Sequence, residues 1–327
     1  GPKVLDSPLG RNDPVVPPTD PAYVELLVAG ITAAGIDAVR NAEPATLGFG
    51  IADSTGVGTN RHNPKGPSDH QVPLVAARSA DGKRWIGWMY VCSMHPTVMH
   101  EDSRLVSADF PWATRRTLQE KLLGCNCPVL HHMGCAGNQS PRHVTHGNTF
   151  EEADRLGSLL GNAMLSVAGH LVFHDQPVLR VTRRLVNPPR KSFPDVAEAE
   201  SLLQQARQRF ETLKRTGPAT EARTAECDVF GAEHKLFLSK IVADGSLEAA
   251  YRACTPAEIQ AIRVGDFCFA GWPSETYVDY ALAVKAKARE TFVISLANGT
   301  LNGYITTPEA AQAGLYEAGA ALFAPET

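Results

Sequence analysis

His95, Glu275 and Tyr304 are the residues whose types could do chemistry together. His95 follows an apolar run at residues 88 to 92 that reads as a buried strand, and Pro96 comes directly after it. A proline restricts the preceding residue to extended conformations, so the His95 side chain has a fixed direction. Glu275 follows a Trp-Pro-Ser turn, and Tyr304 follows the stretch LANGTLNG. Imidazole, carboxylate and phenol are donors suited to zinc. A strand-end histidine is more often structural than ligating, and residues this far apart in sequence leave the choice open.

Other candidates are weaker. His131 and His132 are neighbours in a strand, so they face opposite sides and cannot share one ion. His143 and His146 sit in a loop with no third ligand nearby. Ser140 lies in the glycine-rich turn GCAGNQSPRH, which is not the G-x-S-x-G nucleophile elbow, and Pro141 spoils the expected strand-turn-helix. A Cys135–His131 pair is conceivable without a supporting motif. The glycines of GFGIADSTGVG match neither the dinucleotide fingerprint nor the phosphate-binding loop with its lysine.

The elements that must position these residues alternate. Residues 1 to 20 read as irregular, and a helix follows with Asp20 as N-cap and Pro21 at its first position. ATLGFGIAD is a strand. VPLVAARSA and KRWIGWMYVC form a hairpin about the Asp81-Gly82 turn. CPVLHHMGCAG is a strand entering a turn, and the capping box Thr149 to Glu152 opens a helix to about Gly169. VLRVTRRLV is a strand, residues 195 to 214 a polar helix, VGDFCFAG and TFVISLANG strands, and TYVDYALAVKAKA and TPEAAQAGLYEAG helices. This order predicts an α/β layered domain, a mixed sheet flanked by helices, with the active site at strand ends. Residues 195 to 260 read as a helical insertion.

The 327 residues carry a formal charge of −4, which gives no electrostatic case for nucleic acid or an anionic membrane surface. No apolar run is expected to reach the length of a membrane span, and the chain opens without a signal-peptide pattern. The seven cysteines have no CxxC spacing, which argues against a disulfide framework or a structural cysteine-zinc site and favours a reducing compartment. Homo-oligomerisation stays open.

Five segments in order carry a resemblance: NRHNP, CSMHPTVM with LVSADFP, GCAGNQSPRH, FAGWPSETYVDYALAVK, and LANGTLNGYITTPEAAQAGLYEAG. Together they resemble the neutral (alkaline, non-lysosomal) ceramidase family and its smaller bacterial relatives over most of the chain. The resemblance implies one catalytic domain over 1–327, with His95, Glu275 and Tyr304 as ligands of Zn2+. It places Arg61 and Tyr316 at the substrate carbonyl and Ser140 in the turn lining the pocket. It implies hydrolysis of a small-molecule N-acyl amide, in which zinc lowers the pKa of a bound water to near 7. Fixed donors such as Arg61 and Tyr316 would stabilise the developing oxyanion, and a second acid must protonate the leaving amine.

The chain departs from the pattern in three ways. The family's earlier His-x-His-x-Gly-Pro motif, source of a further ligand and a proton carrier, is not in this sequence, which begins Gly1-Pro2. A segment or separate chain bearing His-x-His is therefore an expected partner. Asn138 replaces the family's aspartate. No immunoglobulin-like domain follows, which makes ceramide itself a less expected substrate. Two alternatives stand beside amide hydrolysis: a zinc hydrolase of an ester, lactone or cyclic amide, and a catalytically incomplete subunit.

Overall fold

The computed structural model describes residues 20–100, 103–301 and 303–325. The chain start, and with it the expected irregular stretch up to residue 19, lies outside the described residues. Helix α1 (Pro21–Arg40) begins as its sequence requires: the Asp20 carboxylate accepts from the Ala22 N–H at 2.9 Å, and Pro21 sits where no N–H is needed. None of its residues is buried, and by length and composition it could cross a membrane. This corrects the expectation that no apolar run is that long. Glu25 and Asp37 bracket the uncharged residues 26 to 36 and hide the run in a simple count.

After α1 come β1 (Ala45–Asp53), β2 (Thr59–Asn60), β3 (Gln71–Ser79) and β4 (Trp85–Cys92). Gly82, at φ +73°, turns β3 into β4. Next are α2 (Asp109–Leu118), β5 (Val129–Met133), β6 (Gln139–Ser140) and α3 (Phe150–Ala168). The Thr149 hydroxyl caps α3 by accepting from the Glu152 N–H at 3.3 Å. β7 (Val172–His174) and β8 (Leu179–Val186) lead to α4 (Val196–Thr216), α5 (Ala219–Ala243) and α6 (Leu247–Cys254). β9 (Ala257–Val264), β10 (Phe267–Gly271), β11 (Glu275–Thr276), α7 (Val278–Lys287), β12 (Thr291–Ile294) and β13 (Tyr304–Ile305) follow. The single closing helix expected at residues 307 to 319 is two short ones, α8 (Pro308–Gln312) and α9 (Tyr316–Ala320). They part at Gly314, whose φ of +69° is easy only for glycine.

Two mixed sheets form the body. One has the order β5-β4-β3-β1-β7 and the other β12-β10-β9-β8. Alternation along the strands gives each sheet two apolar faces. One face of the first sheet, with Leu74, Trp88 and Tyr90, packs under α2 and α3 through Phe110, Leu156 and Leu160. Its other face presents Phe49, Val75 and Val91 to Phe267, Phe269 and Phe292 of the second sheet. Beyond that, α7 covers Ala270 and Val293. The order is therefore helix, sheet, sheet, helix. The helices α4 to α6 connect β8 to β9, which are antiparallel neighbours.

His131 lies in the first core, edge-on to Tyr90 with ring centroids 5.1 Å apart. Neither ring nitrogen has a hydrogen-bond partner among the described residues. Burial, with the charge of His132, pushes its pKa down to about 4. The unfolded chain, with a histidine near 6.5, binds that proton more readily, so stability is lost as pH falls from about 6.5 towards 4. His132 and His234 are also lowered by burial and act in the same direction. The melting temperature is expected to fall across that window, and His131→Leu to flatten part of the fall. A slope identical in the variant would contradict the assignment.

Candidate active site

Arg61 and Ser140 are neighbours because β2 and β6 pair antiparallel, Thr59 with Ser140 and Asn60 with Gln139. The Arg61 N–H continues the ladder to the Asn138 carbonyl at 2.9 Å. The Asn60 side chain organises the loop, accepting from the N–H groups of His62 (3.1 Å) and Asn63 (3.2 Å). Ser140 is buried, and its hydroxyl accepts from the Arg142 N–H at 3.3 Å, capping the short turn Pro141–His143. That accounts for its hydroxyl as a turn cap at the pocket wall.

His95 leaves β4 and docks on the same ribbon. Its backbone N–H and its Nδ1 both donate to the Gln139 carbonyl, at 3.4 and 3.1 Å. A carbonyl can only accept, so Nδ1 carries a proton and Nε2 is turned outward. Nε2 lies 2.9 Å from Glu275 Oε2. Glu275 and Tyr304 are paired directly in the parallel ribbon β11–β13, so their side chains share a face. The Tyr304 hydroxyl is near enough to the Glu275 carboxylate to favour its ionised form. Burial works to raise Glu275, but His95 and Tyr304 hold it below the usual carboxylate range. Burial pushes Tyr304 up to about 12. The fold thus brings His95, Glu275 and Tyr304 to one point.

Beside them is a buried ion pair. Arg61, 6% exposed, donates from Nε to Glu317 Oε1 at 2.8 Å, its Nη2 forms an ion pair with the same oxygen at 2.8 Å, and Glu317 is fully buried. Arg61 Nη2 also donates to the Gly137 carbonyl. His62 Nε2 reaches the same carboxylate at 2.7 and 3.0 Å. Burial opposes the ionised Glu317, and His62 with Arg61 overcomes it, leaving its pKa lowered. The Arg61 guanidinium lies over the Tyr316 ring at 4.8 Å and near that of Tyr304 at 5.7 Å. Burial keeps the Tyr316 phenol protonated well above its ordinary range, so it is a hydrogen-bond donor.

Arg61, His95, Ser140, Glu275, Tyr304 and Tyr316 all line one cavity of about 430 Å³. Among the described residues, no group of three or more His, Cys, Asp or Glu gathers at metal-binding spacing, and the third donor beside His95 and Glu275 is a phenol. The donor chemistry nevertheless fits a cation. An imidazole nitrogen and a carboxylate oxygen converge at 2.9 Å, and the histidine's other nitrogen is fixed by a backbone carbonyl, as metal-bound imidazoles usually are.

The weaker candidates separate. Cys135 packs under α7 with Ala270 and Val293, whereas His131 faces Tyr90 and Phe110 beneath α2, so they do not pair. His143 Nε2 meets the Arg61 carbonyl at 3.1 Å, and His146 turns out to Glu152. Asn138 uses both ends of its amide: Nδ2 donates to Asp279 at 3.0 Å and Oδ1 accepts from the Val278 N–H at 3.0 Å. A carboxylate there would repel Asp279, which is the physical reason an amide suits this position.

Sequence reasoning missed the wall opposite. One face of α5 bears Arg223, Cys227, Phe230, Gly231, His234 and Leu238, which line the main cavity or its neighbour. Their spacing of three and four residues was a legible signal, diluted because the face meets a polar cavity instead of a core. A Cβ on Gly231 would stand 2.7 Å from the Tyr316 backbone, and one on Gly319 2.7 Å from the Gly231 carbonyl. Helix α9 can therefore rest directly on α5, which sets Tyr316 and Glu317 in place.

No protein-family model matches the sequence, and no curated protein matches it either. Solved structures do. The chain superposes on neutral ceramidase from Pseudomonas aeruginosa with a TM-score of 0.62 and 19% identity, over 91% of this chain and 52% of that one. On a ceramidase complexed with C2 the TM-score is 0.57 at 17% identity, over 86% of this chain and 51% of that one. The chain spans about half the length of the ceramidase chains it matches.

Two outcomes are expected. Glu317→Gln leaves Arg61 buried without its counter-charge and costs about 3 kcal/mol, read from the urea midpoint. Gly231→Ala overpacks the α5–α9 contact, costing about 1–3 kcal/mol. A variant as stable as the parent would refute the close contact. The likeness is one of fold: this chain is built as about half of a neutral ceramidase is built.

Proposed function

We propose that this protein is a hydrolase that cleaves an N-acyl amide bond with water. Water adds its oxygen to the acyl carbon, the C–N bond breaks, and the products are a carboxylate and a protonated amine. The observation that carries this reading is the meeting of His95, Glu275 and Tyr304 with Arg61 and Tyr316 around one cavity. The fold shared with two ceramidases, enzymes of an N-acyl amide, supports it.

In this reading His95, Glu275 and Tyr304 would hold a divalent ion, zinc by donor type, which when bound supplies Lewis-acid activation of water. The chain's own residues do the rest. Gln139 fixes the ring of His95 through Nδ1. Glu317 keeps the Arg61 guanidinium pointed at the cavity, and the Tyr316 phenol donates to the substrate carbonyl as negative charge develops. The proton for the departing amine comes from a partner segment bearing His-x-His, joined to this chain or associated with it.

Purified protein, assayed with and without that segment, is expected to carry about one zinc per chain and to hydrolyse short N-acyl amides. A chelator should lower turnover at least about a hundredfold, with recovery on adding zinc, and His95→Ala should lose the metal. Unchanged hydrolysis by zinc-free protein would overturn the metal assignment. Turnover of esters or lactones, with none of any amide, would overturn the choice of bond.

A further inference from the structure

The cavity has two ends that differ in charge: arginines line one and not the other. Phe230, Glu275, Tyr304 and Tyr316 line both the 430 Å³ cavity and a second one of about 340 Å³. The second continues along α5 past His234 to the aliphatic side chains of Leu238, Ala320 and Leu322. The first opens towards Arg142 and Arg223. Of the residues at the shared edge, Tyr316 is assigned above to the substrate carbonyl, and Glu275 and Tyr304 to the ion that would activate water.

Charge accounting separates the cations at the basic end. Arg61 is met by Glu317. Arg223 Nη1 is met by Glu226 at 2.7 Å. Arg142 differs. Its guanidinium donates to the Arg61 carbonyl (3.5 Å), the Thr224 hydroxyl (3.1 Å) and Cys227 Sγ (3.4 Å), all neutral atoms. Among the described residues no carboxylate forms an ion pair with it. These three contacts, one on the catalytic loop and two on α5, hold the planar fork at the cavity wall while its charge stays uncompensated. A guanidinium so held binds a carboxylate through charge-assisted hydrogen bonds.

We infer that the substrate is an N-acyl amino acid, with its apolar acyl group along the Phe230–Leu238 side of α5 and its carboxylate on Arg142. The inference rests on the amide-hydrolase reading for the reaction, though not for the binding. Arg142 is a specificity-determining residue here, and α5 serves both ends of the substrate.

The test compares kcat/KM for three amides of equal acyl length: one with a neutral amine part, one with an amino-acid carboxylate, and one with the carboxylate at the end of the acyl chain. The amino-acid amide is expected to be preferred roughly ten- to a hundredfold, mainly through KM. Arg142→Gln should abolish that preference, Arg142→Lys should keep part of it, and added salt should weaken it. Equal use of the neutral amide, or preference for the acyl-end carboxylate, would overturn the inference. So would a preference that Arg142→Gln leaves intact. If the parent protein, assayed together with the His-x-His segment, cleaves none of the three, the hydrolase reading fails and calorimetry decides the rest. Binding of the N-acyl amino acid that weakens tenfold or more in Arg142→Gln, but less in Arg142→Lys, upholds the anion site, and no measurable binding overturns it. Melting temperatures of both variants confirm that they fold.

Discussion

A guanidinium removed from water must be answered by a fixed negative charge, and in this protein Glu317 answers Arg61. The two residues are 256 positions apart and both are buried. Neither tolerates the interior alone, so the pair cannot form until the β2–β6 ribbon and helix α9 have both arrived. Its desolvation cost is large and its net contribution to stability modest. What it supplies is position: the ionised pair fixes Arg61, the loop that carries it, and Tyr316 one residue before the carboxylate.

The remaining geometry follows from contacts that converge on that pair. The Gly137 carbonyl accepts from Arg61 while the Gln139 carbonyl, two residues on, fixes His95. Asn138 between them ties the turn to the start of α7. The same turn therefore orients the cation and the imidazole together. From the other side, α5 supports α9 through Gly231 and supplies the cavity wall. A long connection between two adjacent strands thus becomes a wall of the cavity.

Much of the fold was legible because its signals are local. The Asp20-Pro21 start of α1, the Asp81-Gly82 turn and the Thr149 cap each depend on a few neighbouring residues, and each element stands where its signal places it. β7 and β9 and the helix α2 were not announced, since α2 opens with Asp109-Phe-Pro and carries buried threonines where a periodic apolar stripe is expected. The closing helix broke at Gly314 because α8 and α9 must turn for Tyr316 and Glu317 to face Arg61. The span-length run in α1 was masked by two acidic residues at its ends.

For the site, sequence order and residue type were enough to nominate His95, Glu275, Tyr304, Arg61, Ser140 and Tyr316, through motif resemblance. They could not reveal that these six share a cavity, because convergence depends on strand register, and a one-residue slip would turn each side chain to the other face. Nor could they single out Glu317, His62 or Arg142. An acidic, an imidazole or a basic side chain has no pattern that marks it as functional. Its role comes from which charges lie within a few ångströms once the chain is folded, and that is settled by packing between segments hundreds of residues apart.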